Sequence, residues 1–121
     1  MAVIKLQSTF IEFPFQNAEG EEVLNLKFDT SDKNLKKLSV TVKELKKKTE
    51  ELKEKDTLSE KEVKQFIKDS VDTIFGQGSF DAMYQLSPSL VIVTDYFFQM
   101  AEGVFEECNE DKYKEKMEKY L

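Results

Sequence analysis

The chain of 121 residues contains ten Phe and four Tyr but no Trp, 18 basic residues that are all Lys, no His, one Cys and a net charge of −6. A chain of this length makes one domain that buries roughly two-thirds of its unfolded surface. The acidic balance and the lack of any planar arginine fork argue against nucleic acid as a partner. Without His or a second Cys there is neither a histidine metal site nor an internal disulfide, a usage typical of the cytosol.

The amino-terminal residues lack the charged region, long apolar run and cleavage site of a signal peptide. The most apolar run, Leu90–Val93, meets Thr94 and Asp95 far short of the roughly 20 residues that span a bilayer. A soluble protein with no membrane partner is expected. Charge is segregated: residues 33–55 carry nine Lys against four Glu, and both flanks are acidic.

Residues 3–15 favour strand. Ile4, Leu6 and Phe10 share one parity and Ile11, Phe13 and Phe15 the other, so a bulge or split is expected near Ser8–Phe10. Pro14 assigns the end of this strand to an edge or a bulge. Asn17-Ala18-Glu19-Gly20 has the chemistry of a four-residue hairpin turn, with Gly20 free to take positive φ. Leu24, Leu26 and Phe28 then alternate with Asn25 and Lys27 as a half-buried second strand.

Ser31 or Asp32 is placed to cap a helix whose Leu35, Leu38, Val42, Leu45, Thr49 and Leu52 fit three heptads. Leu38–Val42 also alternates like a strand, so that stretch is open to both readings. Lys46, Lys48, Lys53 and Lys55 on the flanking positions disfavour a parallel homodimer. They suit either a solvated bundle helix or a basic helix docked on an acidic surface.

Asp56-Thr57-Leu58 breaks the pattern, and Ser59 to Glu62 reads as a capping box with a Leu58–Val63 staple. Val63, Phe66, Ile67, Val71, Ile74 and Phe75 fall on one face of the next helix. Gly76 sits where a left-handed cap residue belongs, and Gly78-Ser79 reopens the chain, with the Ser79 hydroxyl expected to cap the following turn. Ala82, Met83 and Leu86 suit a short helix. Ser87-Pro88 reads as a further start, Ser as cap and Pro at the first helical position. From Leu90 to Cys108 the apolar residues cover most of a helix circumference, which suits a central bundle member or a helix partly covered by a partner. The tail from Asn109 sets Tyr113, Met117, Tyr120 and Leu121 at helical spacing among charges, free to fold back or to wait for a partner. The expected fold is α+β, a hairpin over residues 1–30 followed by about four helices over 31–121, in one domain.

No group of residues promises bond-breaking chemistry. Cys108 lies among Glu106, Glu107 and Glu110, which disfavour a thiolate, and no imidazole exists to activate it. Gly76-Gln77-Gly78 has two glycines of a dinucleotide fingerprint but Asp81 at the third position and no strand before it. The acidic run 106–111 lacks the alternating ligands and central Gly of a calcium loop. An acid/base pair from Asp69 and Asp72 is the one carboxylate arrangement to consider, and its spacing is common on charged surfaces. No enzyme, cofactor or metal is expected.

The strand-turn-strand Phe13–Phe28, the Lys- and Leu-rich helix after it, and Ile74-Phe75-Gly76-Gln77-Gly78-Ser79-Phe80-Asp81 resemble the tail assembly chaperones of long-tailed phages and prophages of Gram-positive bacteria. The resemblance implies a non-enzymatic protein that self-associates, binds the tape measure protein and recruits tail tube subunits. It implies action in the cytoplasm of the bacterial host and absence from the mature virion, with a frameshifted longer form usual in that family. Phe75, Gly76, Gly78 and Asp81 are the residues expected to hold the corner. Phe97, Phe98 and Phe105 are expected to supply apolar surface shared between core and interface. The alternative is a small interaction module of another kind, such as an anti-repressor or antitoxin-like binder.

Overall fold

Alternation of large apolar residues with polar ones makes Phe10–Gln16 (β1) and Glu22–Asp29 (β2) an antiparallel hairpin with one buried face. The computed structural model describes residues 1–54 and 60–108, without the side chains of 52–54. Ile11, Phe13 and Phe15 stand opposite Phe28, Leu26 and Leu24, and all six face the helices. The strand therefore uses the second of its two parities. Residues 3–8 carry no ladder, contrary to the expectation that strand begins at residue 3, and Val3, Ile4 and Leu6 lie in solvent. The register irregularity falls between Phe15 and Gln16, at the turn, rather than near Ser8–Phe10. At the turn Gly20 has φ of +83°, and the Asn17 side chain accepts from the amides of Glu19 and Glu21.

The outer edge of β1 is blunted. The Thr30 amide donates to the Thr9 carbonyl, so hydrogen-bonded pairs fall at Thr9, Ile11, Phe13 and Phe15. The intervening residues point their backbone groups outward. Of these, Pro14 has no amide to offer and the Phe10 amide is taken by Ser8 Oγ at 3.2 Å.

Four helices follow among the described residues: α1 (Asp32–Glu54), α2 (Glu60–Phe75), α3 (Ser79–Leu86) and α4 (Leu90–Glu107). The α+β architecture is that expected from sequence. α1 is helical throughout, so Leu38–Val42 is not strand; Leu38, Val42 and Leu45 are buried on one face. Ser31 Oγ accepts from the Asn34 amide, and the Asn34 side chain donates to the Asp29 carbonyl, joining the helix start to the end of β2. Lys48 lies 5.1 Å from the centre of the Phe66 ring on α2, and Lys64 lies 4.1 Å from that of Tyr84 on α3. Among the described residues the α1 lysines form no ion pair with a carboxylate. The expected break at residues 56–58, the Ser59 capping box and its staple, and the tail from Asn109 lie outside the described residues.

α2 lies at the centre. Its Ile67, Val71 and Phe75 join Phe28, Leu38, Leu45, Phe80, Met83, Val93, Phe97 and Val104 in one core. Ser87 does not start α4. It ends α3, donating its amide to the Met83 carbonyl, and its hydroxyl meets the Tyr96 hydroxyl at 2.9 Å. The α4 cap is Ser89, whose Oγ accepts from the Ile92 amide at 3.3 Å, leaving Pro88 one residue before the cap. No helix among the described residues is long and apolar enough to cross a membrane.

Candidate functional site

Two places follow from the sequence: the glycine corner between α2 and α3, and the outer face of α4. In the corner the amide of Gly76, at φ +109°, returns to the Asp72 carbonyl and closes the end of α2. The Ser79 amide donates to the Gly76 carbonyl at 3.1 Å, and Gly78, at φ +92°, is the N-cap residue of α3. Such φ values exclude most residues with a Cβ, so here the two glycines are a backbone requirement.

The Ser79 hydroxyl does not cap α3, contrary to expectation; Ser79 is the first helical residue and is buried. The cap comes from outside the helix. Asp72 Oδ1, on the last turn of α2, accepts from the Phe80 amide at 2.9 Å. A carboxylate there satisfies an orphan amide and also faces the positive end of the helix dipole. Asp72 is thereby committed to structure, and Asp69 accepts from Gln65 at 2.8 Å, so the two do not form an acid/base pair.

Asp81 pairs with Lys68 Nζ at 3.2 Å across the corner, an exposed contact that orients rather than anchors. Phe75 is the anchor. Its ring meets Phe13 at 6.2 Å, Phe28 at 5.8 Å and Phe97 at 5.9 Å between centroids, so one side chain joins β1, β2, α2 and α4. Because α2 leads into the glycines, the corner is helix–turn–helix and lacks the strand that a dinucleotide fingerprint needs.

On α4 the three phenylalanines separate. Phe97 is fully buried, which corrects the expectation that it shares an interface. Phe98 is half-buried and packs edge-on to Phe97, whereas Phe105 is 41% exposed. Val91, 80% exposed, lies seven residues before Phe98 and was not among the candidate interface residues, although excess apolar surface was expected around Val91–Phe105. The three form one line along the helix, a seven-residue spacing that was legible but was lost in the dense apolar content around it.

Tyr96, Met100 and Gly103 face the hairpin; a Cβ at Gly103 would lie 3.1 Å from the Phe13 ring, so the missing side chain admits β1. Among the described residues no group of three or more Cys, Asp or Glu could hold a metal ion. No curated protein and no solved structure matches the chain. A family model described as a family of unknown function (DUF6673) matches residues 20–121, most of the chain, and the protein belongs to that family.

Proposed function

We propose that the protein is a non-enzymatic tail assembly chaperone of a long-tailed phage or prophage. In this reading it self-associates and binds the tape measure and tail tube proteins in the cytoplasm of the bacterial host, and it is left out of the finished virion. The observation that carries the proposal is the second apolar line of α4, which runs beside the buried face: Phe98 leans on Phe97, while Val91 and Phe105 stay exposed and are not used by the core. An isolated soluble domain gains nothing from such a line, whereas an assembly factor needs surface that is covered only by other proteins. The Lys-rich α1 and the acidic α4 add opposite charges on separate elements, which steers association and makes it salt-sensitive.

The test is co-expression with a tail tube protein of a long-tailed phage from the same host, followed by light scattering and size-exclusion chromatography. A soluble complex, and rings or filaments of the purified chaperone, are expected. A strict monomer or dimer that leaves tube polymerisation unchanged would instead favour the anti-repressor or antitoxin-like reading.

A further inference from the structure

Two of the exposed apolar features are the arm preceding β1, with Val3, Ile4 and Leu6 between 79% and 97% exposed, and the α4 line, in which Val91 and Phe105 are exposed and Phe98, lying edge-on to Phe97, is half-buried. We propose that residues 1–8 of one copy dock along this line on a second copy; the inference rests on the self-association reading and names its contact.

Length fits. Val91 to Phe105 rises about 21 Å along α4, and extended chain from Met1 to Ser8 reaches about 23 Å. Charge fits as well. The arm carries Lys5 and no carboxylate, and α4 carries Asp95, Glu102, Glu106 and Glu107 with no lysine. Asp95 and Glu102 each follow a residue of the line by four positions, so they flank it on its solvent side.

Direction selects a second copy over the same chain. Phe13 packs over Gly103 and Phe15 over Tyr96, so β1 runs antiparallel to α4 and releases the arm beyond the carboxyl end of that helix. Tyr96 and Gly103 lie about 140–160° around the helix from Phe98. To reach its own line the arm would have to reverse and pass around the helix end; a neighbouring α4 demands no such reversal. The β1 edge is a poor rival site for the arm as an added strand, because Pro14 and the Ser8-capped Phe10 amide blunt it. Each chain has one arm and one line, so two copies that exchange arms close as a dimer, and a contact passed from copy to copy builds rings or filaments.

The test is the self-association constant of the full chain, measured by sedimentation velocity, for Leu6→Asp and Phe105→Asp separately and mixed. Each is expected to weaken association at least about tenfold, the ratio that one buried apolar side chain implies, and the equimolar mixture is expected to regain a one-to-one complex. Lys5→Glu should weaken association and Glu102→Lys in the same chain should restore it. The arm makes no core contact, so Leu6→Asp and Lys5→Glu decide the matter even if Phe105→Asp fails to fold. Unchanged association of the arm variants overturns the docking and leaves the self-association reading standing. A wild-type chain that stays monomeric at every concentration overturns both.

Discussion

The cap of α3 distinguishes what the neighbouring residue does from what the fold does. Asp72→Ala removes the acceptor of the Phe80 amide and the carboxylate at the helix start. Loss of a capping side chain costs about 1 kcal/mol and the charge–dipole contact adds about 0.3–1 kcal/mol, so a total near 1–2 kcal/mol is expected. For a domain of this size that lowers Tm by about 3–10 °C. Asp72→Asn keeps an acceptor and loses only the charge, so its cost is the smaller term, about 0.3–1 kcal/mol. Ser79→Ala removes a hydroxyl that makes no cap and places a better helix former at that position, so a change within about 0.5 kcal/mol is expected. Urea titration of the three variants, followed by far-ultraviolet circular dichroism, yields the ranking directly. Equal losses for Ser79→Ala and Asp72→Ala would show that the serine is the cap and that the carboxylate contact is incidental.

Phe75→Ala opens the junction of four elements and should cost about 3–5 kcal/mol, a large part of a total near 5–15 kcal/mol, whereas Phe105→Ala on the exposed line should stay within about 1 kcal/mol. Similar midpoints for the two in guanidinium would contradict the assignment of Phe75 as anchor. Gly76→Val meets nothing closer than Ser79 Oγ at 4.0 Å, so its expected loss of about 2–3 kcal/mol comes from φ +109° alone; full thermal stability of that variant would refute the cap assignment.

Most of the fold was legible because its signals are local. The Asn17–Gly20 turn, the alternation of Leu24, Leu26 and Phe28, the helical spacing from Val63 to Phe75 and the positive φ at Gly76 all depend on residues a few positions apart. The misplaced features have one cause. Ser79 and Ser87 both carry the right chemistry for a cap, and a hydroxyl in sequence cannot reveal that a carboxylate seven residues earlier, or a serine two residues later, occupies the position. Strand was expected from residue 3 because Ile4, Leu6 and Phe10 alternate, yet only the parity of Ile11, Phe13 and Phe15 meets helices.

The sequence by itself determined the order of the elements, the type of all but the Leu38–Val42 stretch, the glycine corner and the segregation of charge, because periodicity and turn chemistry act over one or two turns of backbone. Tertiary structure alone decided that Phe75 gathers four elements, that Asp72 caps a helix to which it does not belong, and that Phe97 is core while Val91 and Phe105 face outward. Those outcomes depend on which surfaces distant segments cover, and burial is a property of the packed neighbours rather than of the residue.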